Sequence, residues 1–279
     1  MPFPEEATHL PIALFDSGVG GLTVFKALAR RLPAENLLYL GDTARLPYGT
    51  KGRDTIIQYT LLAARALVRR GVKMLVVACN TATAAALPTL REEFAPLPVL
   101  GVVEPGAAAA ARASRNGEIV VIATEATIAG GAYQQAIARI RPQARVRGKA
   151  CTLFVPMAEE GWMEGPLVEG VARRYLDGLF APDAAGPRPD TLVLGCTHFP
   201  LLYEALEHVV GPAVTIVDSA ATTAESVEEE LRARRLLNPA EGTGQWRFLT
   251  TDNPDRFART GGLFLGSPLQ PGQIELVDL

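Results

Sequence analysis

The feature of this chain that most constrains its fold is the regular alternation of short, β-rich apolar runs with longer segments of helical periodicity. Seven runs have the composition of buried strands: PIALFD (11–16), NLLYLGD (36–42), MLVVAC (74–79), PVLGVV (98–103), EIVVIAT (118–124), TLVLGC (191–196) and AVTIVDS (213–219). Between them, five segments place apolar residues at helical spacing: LTVFKALARRL, RDTIIQYTLLAARALVRRG, AYQQAIARIRP, PLLYEALEHVVG and ESVEEELRARRLL. Strands and helices that take turns along a chain form mainly parallel sheets covered on both faces. The sequence therefore predicts an α/β fold.

Charge and cysteine content narrow the possible partners and the compartment. The 27 Lys and Arg nearly balance the 30 Asp and Glu, so the chain lacks the basic excess that nucleic-acid binding requires. The N-terminus MPFPEEATHL is acidic, and the longest charge-free apolar stretch, 74–90, is interrupted by Asn80 and Pro88, which argues against secretion and a membrane span. Three cysteines are an odd number in a chain too large to need disulfides for stability, so we expect free thiols and a reducing compartment.

Polar groups follow five of the predicted strands. The carboxyl ends of parallel strands meet at one edge of a sheet, where ligands bind in open α/β folds. The groups at these ends are Asp16-Ser17, Gly41-Asp42-Thr43, Cys79-Asn80-Thr81, Thr124 and Cys196-Thr197-His198. We expect a site to form from them.

Two of the three cysteines occupy matched settings. Cys79 and Cys196 each end an apolar strand and precede small hydrogen-bonding residues and a predicted helix, whereas Cys151 lacks polar neighbours. A helix N-terminus favours a thiolate, so we expect the pKa of both thiols to be lowered; the alternative is that each is a small buried apolar residue. With no C-x-x-C and three histidines, the chain predicts no metal site.

Two kinds of chemistry fit these thiols. Cys196 with His198 suits a nucleophilic hydrolase, but that use leaves Cys79 idle. Inversion of a stereocentre beside a carboxylate instead needs a base on one face of the carbon and an acid on the other, and two like residues of similar basicity suit it. The matched pair therefore favours inversion without a cofactor.

Four segments in register resemble the signatures of glutamate racemases. They are FDSGVGGLTV (15–24), GDTARLPYG (41–49), ACNTATA (78–84) and LGCTHFPLL (194–202). The resemblance extends from Ile12 to Ser219, and the segment from Leu236 onward has no match. It implies a cytoplasmic, cofactor-independent enzyme that interconverts L- and D-glutamate and supplies D-glutamate for peptidoglycan, with glutamate as its small-molecule partner and a possible homodimer.

The resemblance also implies roles for individual residues. The acid/base pair falls on Cys79 and Cys196, with Asp16 beside the first and His198 and a glutamate beside the second. That glutamate is assigned to Glu159, with Glu160 as the alternative. The substrate-binding residues it implies are Asp16, Ser17, Tyr48, Gly49, Asn80, Thr81, Thr124, Thr197 and His198.

Several alternatives stay open at this stage. Asp16 could only cap its turn, Tyr48-Gly49 could form a plain turn, His198 could only begin a helix, and Glu159-Glu160 could be a solvated pair. A racemase acting on aspartate or another amino acid, the Cys196/His198 hydrolase, and a binding protein without turnover are the rival functions. For the architecture we expect two similar α/β domains with the active site in the cleft between them: 1–102 plus 217–279 with Cys79, and 103–216 with Cys196.

Overall fold

Ten strands and eleven α-helices form the part of the chain that the computed structural model describes, residues 5–180 and 187–279. The strands are β1 (Ile12–Asp16), β2 (Leu37–Gly41), β3 (Met74–Val77), β4 (Val99–Gly101), β5 (Glu118–Ala123), β6 (Arg145–Ala150), β7 (Thr191–Gly195), β8 (Thr215–Asp218), β9 (Trp246–Thr250) and β10 (Ile274–Leu276). The helices are α1 (Leu22–Arg31), α2 (Arg53–Val68), α3 (Asn80–Glu93), α4 (Val103–Ala113), α5 (Glu125–Gly130), α6 (Ala132–Ile140), α7 (Phe154–Glu159), α8 (Pro166–Leu176), α9 (Tyr203–Val210), α10 (Ser219–Arg234) and α11 (Pro254–Leu265).

The strands form two parallel sheets. The larger sheet has the order β10-β9-β2-β1-β3-β4 and the smaller has the order β6-β5-β7-β8, and every strand pair in both is parallel. All residues of β1, β2, β3, β5 and β7 are buried, because helices cover both faces of each sheet. The predicted α/β fold with mainly parallel sheets is confirmed.

The order of the strands explains where the cysteines lie. In the larger sheet, β1 is followed on one side by β2 and on the other by β3, so the order reverses between β1 and β3. In the smaller sheet, β5 is flanked by β6 and β7 in the same way. A crevice opens at such a switch point outside the carboxyl ends of the strands. Asp16 and Cys79 stand at the first crevice, and Thr124 and Cys196 stand at the second.

All seven predicted strands are present, but three strands were missed. The edge strand β6 has the sequence RVRGKA, and none of its residues is fully buried. The β9 strand starts with two exposed residues, and β10 is a three-residue edge strand. A strand that buries little apolar surface leaves no strong pattern in the sequence, which is why these three were not recognised.

The C-terminal part of the chain returns to the larger sheet through α10. This helix packs against α1 and α4, and it begins at Ser219, six residues before the predicted helix. Its end is fastened by the buried ammonium of Lys73, which pairs with Glu35 and donates to the carbonyl of Leu236 at 2.9 Å. We propose that the chain divides into two domains, 1–102 plus 217–279 and 103–216. The last strand of the smaller sheet, β8, ends at Asp218, close to the second boundary.

Candidate active site

A cavity of about 280 Å³ lies where the carboxyl ends of the two sheets face each other. Eleven predicted residues line it: Ser17, Tyr48, Gly49, Cys79, Asn80, Thr81, Thr124, Glu159, Cys196, Thr197 and His198. Asp16 is fully buried at the end of β1. Two larger open grooves, of about 840 and 790 Å³, lie elsewhere and contain none of these residues. The fold thus brings together groups that are up to 182 positions apart in the chain, from Asp16 to His198.

Cys79 is held at the start of α3. Its Sγ accepts a hydrogen bond from the Ala82 N–H at 3.4 Å, and it donates to Ser17 Oγ at 3.6 Å. Burial and the nearby Asp16 carboxylate nevertheless raise the pKa of Cys79 to about 12. The prediction that the helix N-terminus lowers the pKa of this thiol was therefore wrong, because desolvation and a neighbouring negative charge outweigh the helix N–H.

The two carboxylate oxygens of Asp16 have different surroundings. Oδ2 accepts the Gly18 N–H at 3.0 Å, so the residue does cap its turn. Oδ1 is buried and has no hydrogen-bond partner among the described residues. Burial raises the pKa of Asp16, and the positive charge of His198 offsets only part of this effect. The capping interpretation thus accounts for one carboxylate oxygen and leaves the other unused.

Cys196 belongs to a chain of polar groups that leads out of the cavity. Its Sγ lies 3.8 Å from His198 Nδ1, and His198 Nε2 lies 3.2 Å from Glu159 Oε1. Arg256 Nη2 lies 3.5 Å from the other Glu159 oxygen, and 58% of the Arg256 side chain is exposed. Of the two candidate glutamates, Glu159 is therefore the one in contact with the histidine.

His198 is buried but favours its charged form. Burial alone lowers the pKa of an imidazole, but the hydrogen bonds to Cys196 and Glu159 outweigh it and raise the pKa of His198 to about 10. The Phe264 ring packs edge-on against the imidazole, with centroids 5.0 Å apart. The residues after His198 form a 3₁₀ turn (Phe199–Leu202) before α9, where the sequence predicted a continuous α-helix.

The loop after β2 is fixed by Asp42, a strand-end group that was not among the residues expected to bind substrate. Asp42 is fully buried and accepts hydrogen bonds from Tyr48 Oη at 2.6 Å, from Arg45 at 2.8 Å and from Thr251 Oγ1 at 2.8 Å. The hydroxyl of Tyr48 therefore already donates a hydrogen bond to Asp42, and the rest of the side chain lines the cavity. The signal for Asp42 in the sequence was its place at the end of the predicted strand 36–42.

The two sides of the cavity touch each other through hydroxyl groups and glycines. Thr81 Oγ1, from the larger-sheet side, lies 2.9 Å from Thr124 Oγ1, which follows β5. A Cβ atom on Gly20 would collide with the ring of His198, and one on Gly49 would collide with Thr124. Side chains at these two positions would hold the sides apart, so the close approach of the two sides depends on both glycines.

Residues near the C-terminus complete the site, and the sequence did not identify them. Thr251 follows β9 and donates a hydrogen bond to Asp42. On α11, Arg256 contacts Glu159 and Phe264 contacts His198. This segment lay beyond the recognised motifs.

Among residues 5–180 and 187–279, no group of three or more His, Cys, Asp or Glu side chains could hold a metal ion, and no helix is both long and apolar enough to cross a membrane.

Comparison with known proteins shows the family to which the chain belongs. A family model for Asp/Glu/hydantoin racemases matches residues 18–227. The chain belongs to this family. A glutamate racemase from Geobacter metallireducens is 50% identical over 268 residues, which is 96% of each chain, and one from Syntrophus aciditrophicus is 46% identical over 269 residues, 96% of this chain and 97% of the other.

Solved structures of glutamate racemases have the same fold as this protein. The glutamate racemase of Thermus thermophilus, in complex with β-chloro-D-alanine, is 44% identical, has a TM-score of 0.86 and is matched over 98% of both chains. The glutamate racemase of Francisella tularensis, in complex with D-glutamate, is 35% identical, has a TM-score of 0.88 and is matched over 97% of this chain and 98% of the other. The resemblance to glutamate racemases, a group of isomerases, is confirmed.

Proposed function

We propose that this protein is a cofactor-independent glutamate racemase that uses Cys79 and Cys196 as its two acid/base groups. The observation that supports this most directly is that one cavity is lined by both thiols, each of which follows a strand of a different sheet. A substrate carbon held between them has one sulfur available to each of its faces. Relatives up to 50% identical over nearly the whole chain are glutamate racemases, which supports glutamate as the substrate.

The unequal settings of the two sulfurs suggest how the reaction begins. Because the pKa of Cys79 is about 12, its sulfur carries a proton at neutral pH. Cys196, which faces the imidazolium of His198, removes the α-proton as a thiolate, so that the α C–H bond breaks and an S–H bond forms. Cys79 then gives its proton to the opposite face of the carbanion and becomes a thiolate. The other enantiomer reacts by the reverse of these steps.

The other residues of the cavity bind and orient the substrate in this proposal. Asn80, Thr81, Ser17 and Thr197 offer hydrogen-bond donors to the carboxylates, and Gly49 supplies backbone close to the substrate. Charge develops in an enclosed space, where hydrogen bonds and the cation on His198 are stronger than in water. His198 and Glu159 assist Cys196, and Asp16 assists Cys79.

The test is proton NMR of the purified protein with L-glutamate in deuterium oxide, without added cofactor, together with optical rotation. Loss of the α-proton signal with decay of rotation to zero is the expected result. The deuterium content of each enantiomer at early times then shows whether two bases act, because a two-base enzyme labels the product enantiomer first. Persistence of both signals with glutamate, and turnover with aspartate, would move the assignment to an aspartate racemase.

A thiol hydrolase is the second candidate, and one observation favours it. Cys196, His198 and Glu159 stand in the order of a nucleophile, a base and an orienting carboxylate, with separations of 3.8 and 3.2 Å. This function predicts an acyl-enzyme on Cys196 and activity that survives loss of Cys79. Mass spectrometry of the protein after incubation with activated esters distinguishes it from the racemase.

We further propose that the enzyme works in the cytoplasm, supplies D-glutamate for peptidoglycan and forms a homodimer. These points come from the resemblance to glutamate racemases. Growth of a bacterial strain that requires D-glutamate, after it receives this gene, tests the cellular role, and sedimentation velocity tests the dimer.

A further inference from the structure

A hydrogen bond between two buried side chains connects the two sides of the cavity at Asn80. The hydroxyl of Tyr133, on α6, donates to Asn80 Oδ1 at 2.7 Å. Tyr133 is 1% exposed and Asn80 is 3% exposed. Helix α6 packs beside the smaller sheet, whereas Asn80 begins α3 beside the larger one, so the bond joins the two halves directly behind the cavity.

This bond leaves the other end of the Asn80 amide without a partner. Asn80 lines the cavity, and its Nδ2 is buried with no hydrogen-bond partner among the described residues. A buried NH₂ group without a partner is unusual in a folded protein, because it has lost its water and gained nothing in exchange. A ligand oxygen in the cavity would satisfy it.

The direction of the bond determines which end of the amide is free. An asparagine side chain can turn over, which exchanges its acceptor oxygen and its donor nitrogen. Burial raises the pKa of Tyr133, so its hydroxyl keeps its proton and remains available as a donor. A hydroxyl that donates needs the amide oxygen as its acceptor, so Nδ2 is the end of the Asn80 amide that has no partner.

The tyrosine ring itself has little room to move. A Cβ atom on Gly106 would come within 3.2 Å of the Tyr133 hydroxyl, and one on Gly195 would come within 3.0 Å of its ring. The backbone of α4 and of β7 therefore lies directly against the tyrosine. A ring packed in this way holds its hydroxyl at a fixed point.

We propose that Tyr133 is a positioning residue that orients the Asn80 amide, so that Nδ2 donates a hydrogen bond to a carboxylate oxygen of the substrate. The proposal rests on the racemase function above and adds a residue that touches no substrate itself. It also links substrate recognition to the contact between the two halves of the molecule, because the tyrosine lies on α6 and the asparagine begins α3.

The primary test is Tyr133→Phe, which keeps the ring and removes only the hydroxyl. We expect KM for both enantiomers of glutamate to rise by roughly tenfold, with kcat within about threefold of the parent, because one substrate hydrogen bond loses its alignment. Tyr175→Phe is the matched control, since the Tyr175 hydroxyl also takes part in a hydrogen bond, accepting the Leu153 N–H at 3.1 Å, but Tyr175 does not line the cavity. It should leave both constants unchanged.

A second pair of variants tests whether Tyr133 acts through Asn80. In an Asn80→Ala background, Tyr133→Phe should cause no further rise in KM, since the amide to be oriented is gone. Asn80→Asp keeps an acceptor for Tyr133 but has no donor, so KM should rise in this variant as well, and it remains informative if Tyr133→Phe folds poorly. Equal effects of Tyr133→Phe in both backgrounds, or an unchanged KM in Asn80→Asp, would overturn the proposal.

The same experiment separates the two levels of inference. A parent protein that does not racemise glutamate contradicts the proposed function. An active parent whose KM is unaffected by Tyr133→Phe contradicts the role of Tyr133 alone.

Discussion

The two cysteines end similar strands in two parallel sheets, but their surroundings differ. Cys79 lies beside a fully buried carboxylate, Asp16, and its own pKa is raised to about 12. Cys196 faces a protonated histidine, from which polar contacts continue through Glu159 to the exposed Arg256. Two residues of one type, in matching stretches of sequence, thus have different charged groups beside them: a carboxylate from β1 beside Cys79 and an imidazole two residues further along the chain beside Cys196. A symmetric reaction can therefore be carried out by an asymmetric site.

The largest expected effect comes from removing either sulfur. Cys79→Ser and Cys196→Ser should each lower the rate of racemisation by about a thousandfold or more, because a serine hydroxyl is a far weaker acid and base at neutral pH. Cys151→Ser is the matched control. Cys151 is buried in the apolar core, so this variant should keep most of its turnover and lose some thermal stability.

Activity in Cys79→Ser comparable to that of the Cys151 control would contradict the two-base scheme.

His198→Asn comes next in size. Loss of the cation beside Cys196 should lower kcat/KM by roughly a hundredfold. The two directions must fall by the same factor, because the equilibrium constant between enantiomers is one. Circular dichroism assays started from L- and from D-glutamate measure both. A fall of less than threefold would mean that His198 only shapes the turn after β7.

Asp16→Asn should separate activity from stability. We expect turnover to fall by roughly tenfold, because the charge beside Cys79 disappears. The pKa of Asp16 is raised above its usual 3.8, so burying the carboxylate disfavours the folded state at neutral pH. The asparagine variant should thus have the higher melting temperature at pH 7, and this advantage should shrink as the pH falls toward about 4.

Thermal melts at several pH values, with activity at pH 7, measure both effects. A lower melting temperature with normal turnover would indicate that Asp16 serves only as a cap.

The smallest effect is expected at Arg256. Its guanidinium is largely exposed and lies 3.5 Å from Glu159, and exposed ion pairs contribute little. Arg256→Gln should change kcat by about two- to threefold, and the difference from the parent should shrink as salt is added. A drop as large as that of His198→Asn would make Arg256 an essential part of the Cys196 side.

The sequence could reveal those parts of the site that have a local pattern. Cys79, Cys196 and His198 were identified because a polar group that follows a buried strand at the carboxyl edge of a sheet is conspicuous. Glu159 came only from the resemblance to a known family. Tyr133, Arg256 and Phe264 were missed, since they reach the site through packing between distant helices. The shift in the pKa of Cys79 was also missed, because it depends on burial and on Asp16 rather than on the start of α3.

The contacts at Gly20 and Gly49 have a kinetic consequence. His198 against Gly20 and Thr124 against Gly49 bring the two sides of the cavity into contact, so any widening that admits or releases glutamate has to break these contacts. Such a widening also separates Thr81 from Thr124 and moves the two halves through solvent. Where that movement is slower than proton transfer, kcat falls as the medium is made more viscous with sucrose, while the isotope effect of an α-deuterated substrate on kcat approaches one.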